Sequence, residues 1–222
     1  ADAIAADLGD DQWVRDIYTL LVERCDDHLK TNNLADGILA NLKDKEWVKT
    51  LYSDLEKRSE KPADFARLAQ MVLGTLDDEQ WAGELFQKAE DGCGSVAACT
   101  AVAGAVLAGL EDEDRVKTIY KKAESLCESP DDFGSLFRAV AQQTGDQAML
   151  KELMKAAEAK LSGLRELSSL AEYVLVYLGD DAWARQIYKK AAKASDAKTR
   201  MPDLILSIKN RLGDEAWARS LL

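Results

Sequence analysis

One histidine, four cysteines and 40 acidic residues are the side chains of this 222-residue chain with the most scope for chemistry. His28 stands alone, so it cannot build an imidazole metal site or a conventional triad with its sequence neighbours. A structural zinc site takes Cys and His in matched, closely spaced pairs. Only Cys93 and Cys99 come near one another; they are six apart and no second pair matches them. "DGCGS", Asp91 to Ser95, is an isolated Gly-rich break between helices and not a phosphate loop. The run Glu111-Asp112-Glu113-Asp114 falls where a helix begins, and acids there suit the positive end of the helix dipole. No constellation assembles nucleophile, base and oxyanion donors. The sequence therefore predicts no catalytic residue, no metal ligand and no cofactor, and the chain reads as a non-enzyme.

The five tryptophans explain what the other residues are for. Trp13, Trp47 and Trp81 are 34 apart, as are Trp183 and Trp217, and three periods separate Trp81 from Trp183. Arg115 and Met149 fill the skipped positions. A fixed period of this length marks a repeat architecture. Three residues before each Trp position stands an Asp: Asp10, Asp44, Asp78, Asp112, Asp146, Asp180 and Asp214. Five residues after it come Tyr18, Tyr52, Phe86, Tyr120, Met154, Tyr188 and Leu222. Apolar residues at +1, +4, +5 and +8 from the Trp position lie on one helix face, which we term helix B. The preceding segment, helix A, carries Leu34, Leu68, Val102, Leu136, Leu170 and Leu204, then Ile38, Val72, Val106, Val140, Val174 and Ile208 four residues on.

Between the two helices the Asp column predicts an N-cap, its carboxylate accepting from first-turn amides. Gly9, Gly145, Gly179 and Gly213 precede it, where a left-handed residue ends helix A at no steric cost. Lys43, Asp77 and Glu111 take that place in other units and should be strained there. Cys25, Cys93 and Cys127 share one position near the end of helix B. Equivalent atoms of stacked repeats lie beyond the roughly 7 Å between Cα atoms that a disulfide tolerates, so free thiols are expected. The Trp column itself is expected to pack between neighbouring helices, with a polar partner at each indole edge.

Composition agrees with an all-helical reading. Apolar residues make up 47%, which suffices for a core, and Ala, Leu, Glu and Lys predominate. The net charge of −11 excludes the basic stripe of a nucleic-acid binder. No run of about 20 apolar residues offers a membrane span, no signal peptide opens the chain, and a cytoplasmic location is expected. The whole of 1–222 reads as a single array of about six and a half repeats. It starts within a helix A and stops within a helix B, so either a longer array or end-to-end stacking is expected.

The segment "GDDAWARQIYKKA", Gly179 to Ala191, resembles helix B of the tetratricopeptide-repeat family, with Ala184, Tyr188 and Ala191 at the small, aromatic and small positions. Val116, Tyr120 and Ala123 repeat the pattern, as do Ala82, Phe86 and Ala89. "ARQIYKKA" is also similar to half-a-TPR and Sel1-like repeats. The resemblance departs in helix A, which lacks the family's Trp, Gly and Tyr, and in the lack of a closing Pro in most repeats, although Pro62 and Pro130 read as closing their units. It implies a right-handed α-solenoid with helices A along a concave groove.

In that phase the groove positions include Asn33, Asn41, Arg67 and Met71, then Ala105 and Gly109. Gln142, Gln143, Tyr173, Val176, Tyr177 and Arg211 continue the same face. Met71, Tyr173 and Tyr177 are the expected anchors, because Met and aromatics favour interfaces. Gly37, Met71 and Ala105 stand where the family's carboxylate clamp for chaperone tails needs Asn, which argues against that ligand. The expected function is a scaffold presenting a groove to a peptide or helix. The alternatives are a structural segment stacking end to end, and a regulatory module acting on an enzyme. A protein or peptide is the expected partner; nucleic acid and membrane are not.

Overall fold

The computed structural model describes residues 11–25, 27–194 and 197–221, and these are all-helical. Gly9, Asp10 and Leu222 lie outside them. Five helices lead the chain: α1 (Asp11–Val22), α2 (His28–Leu42), α3 (Lys45–Arg58), α4 (Pro62–Leu76) and α5 (Glu79–Asp91). Next come α6 (Val96–Leu110), α7 (Glu113–Ser125), α8 (Pro130–Gln143) and α9 (Gln147–Lys160). The last four are α10 (Leu164–Leu178), α11 (Asp181–Ala191), α12 (Ala197–Ser207) and α13 (Glu215–Ser220). A π-helical turn, Ile208–Leu212, extends α12. No helix among the described residues is long and apolar enough to cross a membrane.

Each A-to-B connection is built the same way. Helix α10 ends at Gly179, whose φ of 62° is left-handed and whose N–H reaches Leu175 O. Asp180 follows, and its carboxylate accepts from Trp183 N at 2.9 Å. Asp44, Asp78, Asp112, Asp146 and Asp214 likewise accept from the amide three residues on. Lys43, Asp77 and Glu111 adopt φ of 54°, 59° and 53° in place of glycine. A side chain there crowds the following carbonyl, at about 1–2 kcal/mol.

Helices A start less uniformly. Asp27 caps α2 by accepting from Lys30 N at 2.8 Å, and Ser129 and Asp132 cap α8 reciprocally. Pro62 and Pro130 occupy the first turn of α4 and α8, where the lost N–H has no intrahelical partner to lose. They open helices A and do not close the preceding units.

The described chain divides into two compact units, one of residues up to 94 with 101–119, the other of 95–100 with 120 onward. In the first, consecutive helices pair from α1 to α5, and α2 also packs on α4. In the second, α8 through α11 pair in sequence, while α8 packs on α10 and α10 on α12. Within each unit, then, helix A of one hairpin lies on helix A of the next. The repeat columns form the cores: Leu68, Val72, Tyr52 and Phe86 are fully buried in the first, and Leu136, Val174, Leu150 and Tyr188 in the second. Each such side chain contributes roughly 1.5–3 kcal/mol by leaving water.

Candidate functional site

Three sets of side chains could do more than fill a core: the Trp column, the Tyr column, and the outer face of helices A. The Trp side chains are half-buried in described positions 47, 81, 183 and 217. Trp81 Nε1 donates to Glu56 Oε2 and Trp183 Nε1 to Glu158 Oε2, both at 2.9 Å. A cation from the preceding repeat covers each ring: Arg15 over Trp47 at 5.7 Å, Lys49 over Trp81 at 6.0 Å, Lys151 over Trp183 at 6.0 Å and Arg185 over Trp217 at 5.4 Å. The same cations reach the N-cap carboxylates Asp44, Asp78, Asp180 and Asp214. Where Arg115 replaces Trp, its Nε donates to Glu90, the residue equivalent to Glu56, and the covering cation is replaced by Gly83. The column is therefore a joint between successive helices B.

Three rings of the Tyr column have hydrogen-bond partners, 23 residues after the ring and, for Tyr52, also 20 before it. Tyr52 Oη donates to Asn32 Oδ1 at 3.0 Å and lies 3.1 Å from Thr75 Oγ1. Tyr120 Oη donates to Gln143 Oε1 at 2.6 Å, and Asn41 Nδ2 donates to Tyr18 Oη at 2.7 Å. Phe86 has no hydroxyl, and the two partner columns there are Ala66 and Gly109. A Cβ on Gly109 would meet Phe86 Cζ at 3.1 Å. Burial raises the Tyr52 and Tyr120 phenols to about 12 and pushes Tyr188 higher still.

These bonds redistribute the expected groove. In the first unit, Asn41 is committed to Tyr18, and Gly109 to the ring of Phe86. Ala105 is half-buried, with its carbonyl accepting from Gln70 Nε2 at 3.3 Å. Met71 is only 8% exposed, so its thioether packs inward and leaves little for a partner. Asn33 and Arg67 remain exposed. Asn33 borders a cleft of about 380 Å³ with Tyr18, Leu21, Lys30 and Gly37. In the second unit, Gln143 holds Tyr120 and donates Nε2 to Thr100 O at 3.2 Å, while Gln142 is exposed. Arg211 is exposed and lies 3.6 Å from Glu172.

Tyr173, Val176 and Tyr177 are brought together on α10. The two phenol rings stack at 6.3 Å and 22°, and Tyr173 meets Phe137 edge-on at 5.7 Å. Gly134 lets this happen, since a Cβ there would overlap the Tyr173 hydroxyl. Burial, with Asp131 and Glu172 nearby, raises the Tyr173 pKa. Val176 is 69% exposed beside them, and Leu206 on α12 is 58% exposed.

No protein-family model, curated protein or solved structure matches the chain.

Other candidate groups are quiet. No disulfide joins any of the four cysteines. Cys127 Sγ donates to Ala123 O at 3.4 Å and its thiol is pushed up to about 11 by burial, the opposite of an activated thiolate. The His28 pKa is lowered, chiefly by burial. Sequence reasoning missed Ser168, Glu172 and Leu206 on the helix A face, and the Glu56, Glu90 and Glu158 column. The 34-residue spacing marks the Glu column. Only the Asn32–Tyr52 pairing draws attention to Ser168.

Proposed function

We propose that the chain is a non-enzymatic scaffold, an α-solenoid of the tetratricopeptide-repeat-like kind, that holds a peptide or short helix along its helices A. The observation that carries this reading is the α10 face. A stacked tyrosine pair lies beside an apolar side chain that is 69% exposed, on a helix otherwise well buried. Rigid aromatics with an adjacent apolar contact are the composition of binding hot spots. A partner captured on the purified chain and then titrated tests it. Tyr173→Ala should weaken binding by roughly 30-fold, one hot-spot residue of about 2 kcal/mol, and Val176→Asp should act in the same direction. Unchanged affinity in both variants rules out this face.

End-to-end assembly is the second reading, supported by a different patch. Trp13, Leu20, Leu21 and Leu29 are 41%, 60%, 42% and 69% exposed, whereas Leu55, equivalent to Leu21, is 3% exposed. Assembly through that patch predicts a mass that rises with concentration and falls in Leu20→Glu. A mass constant over a wide dilution series eliminates it.

A further inference from the structure

Successive helices A meet by a fixed step in sequence. Gln70 Nε2 donates to Ala105 O, and Ser207 Oγ to Glu172 Oε1, each pair 35 residues apart. Thr75 Oγ1 lies 3.5 Å from Asp36 Oδ1, and Arg211 lies 3.6 Å from Glu172, each pair 39 apart. Gly134 faces the Tyr173 hydroxyl at the same longer interval. A residue on one helix A therefore stands beside the residues 35 and 39 places on, which are one turn apart on the next.

Asp36, Gln70, Arg138 and Glu172 share one column of this face. Asp36, Gln70 and Glu172 are bonded across the step. Arg138 is not. Its step leads to Tyr173 and Tyr177, the stacked pair of α10. Its side chain is exposed and makes no ion pair or hydrogen bond among the described residues. The Tyr173 pKa, raised by burial first and then by Asp131 and Tyr177, is pulled back by Arg138, which agrees with a guanidinium close to the ring. By the same step Val176 leads to Arg211. The exposed aliphatic side chain and the ring pair thus lie between two guanidiniums, and Arg211 is already turned to Glu172. Asp131 is seven residues before Arg138, two turns back along α8.

We propose that this strip recognises an acidic side chain next to an apolar one: an aspartate or glutamate of the partner peptide pairs with Arg138 while its apolar neighbour covers Val176 and Tyr177. The inference rests on the groove reading above. A guanidinium presents a planar fork that matches a carboxylate. An ammonium would meet Arg138 and Arg211 as like charges. A carboxamide can accept from Arg138 but brings no charge to it. A nucleic-acid strand needs cations along its whole backbone, against a net charge of −11, whereas a single carboxylate needs one.

The test uses the full chain, isotope-labelled for NMR, and acetyl-Leu-Glu-Leu-amide as the probe, with the glutamine and lysine analogues beside it. All three should shift the Val176 and Tyr177 amides, with the glutamate peptide about threefold tighter than the glutamine one, the size of an exposed ion pair, and the lysine peptide weakest. Added salt should shrink that preference and leave the glutamine peptide unchanged. Arg138→Gln should erase the preference, and Arg138→Glu should turn it towards lysine. The Arg138 side chain is exposed and holds no other residue, so both variants should keep the fold. Equal affinities for the three peptides overturn the proposal and leave the groove standing. A glutamate preference that survives in Arg138→Gln overturns it as well. If no peptide moves Val176 or Tyr177, the groove reading falls and the proposal falls with it.

Discussion

Gly109 lies against the ring of Phe86, in the column that supplies Thr75 to Tyr52 and Gln143 to Tyr120. The hydroxyl and its acceptor are lost together in that one repeat. The remaining partner column agrees, with Ala66 where Tyr52 has Asn32. A single chain thus carries its own mutational series, in which the phenols of Tyr18, Tyr52 and Tyr120 are hydrogen-bonded, that of Tyr188 is not, and a phenyl ring does without partners.

That series gives a prediction of sign. Phe86→Tyr introduces a buried hydroxyl with neither an Asn nor a Gln beside it and should destabilise by about 1–3 kcal/mol. Tyr120→Phe removes a made bond and should cost about 1 kcal/mol. Tyr188→Phe removes a hydroxyl that has no partner and should cost nothing or stabilise. Urea denaturation of the three variants, with matched m-values, checks the order. Equal losses in all three would show that the hydroxyl pairings do not govern stability.

The left-handed residues between helices give a second prediction. Lys43 and Glu111 hold φ of 54° and 53° with a Cβ in place, whereas Gly179 holds 62° without one. Lys43→Gly and Glu111→Gly should each stabilise by about 1 kcal/mol, and Gly179→Lys should destabilise by a similar amount. Thermal melts read this directly. Lys43→Gly must raise the midpoint although glycine loosens the unfolded chain; a lowered midpoint means the strain is relieved in another way.

Stability should also fall in acid through the caps. The Trp47 amide and then Arg15 hold Asp44 below its ordinary value, and Arg185 and then the Trp217 amide do the same for Asp214. A depressed carboxylate adds stability that is full above the unfolded value, about 3.9, and is lost as pH falls through the folded value. The loss therefore belongs below about pH 4. Asp44→Asn keeps a cap acceptor without the charge and should make the acid limb of a stability-against-pH curve shallower. An unchanged limb would assign acid sensitivity to other groups.

Much of the fold is legible in the residue columns because burial and capping act on each repeat alike. Asp180 caps α11 for the same local reason that Asp44 caps α3. The helix A face is harder to read, because its residues answer to neighbours in other helices. Met71 and Tyr173 share a column, yet Met71 turns inward and Tyr173 lies across Gly134 with its ring half-exposed. Asn41 and Gln143 look like free groove amides until the phenols of Tyr18 and Tyr120, 23 residues earlier, are seen to hold them. Ser168 shows the converse: in sequence it is a polar residue on a helix, and only the geometry shows that nothing pairs with it.

The joint between helices B provides a final prediction, from the place where an arginine stands in for the indole. Trp81 donates to Glu56 under the ammonium of Lys49, while Arg115 donates to Glu90 with Gly83 at the covering position. A lysine over Arg115 would set two cations together, which accounts for the absence of one at 83. No atom lies within 4 Å of where a Cβ on Gly83 would stand, so a side chain there has room. Gly83→Lys alone should therefore gain only helix propensity, about 1 kcal/mol, less the repulsion from Arg115. Arg115→Trp restores an indole donor for Glu90, and with Gly83→Lys it rebuilds the arrangement of Lys49 and Trp81. The double-mutant cycle should show a favourable coupling of about 0.5–1 kcal/mol, the size of an exposed cation–π contact, that persists at high salt better than an ion pair would. A coupling of zero would mean that the cations over Trp47, Trp81, Trp183 and Trp217 are held by their Asp partners alone and contribute nothing through the rings.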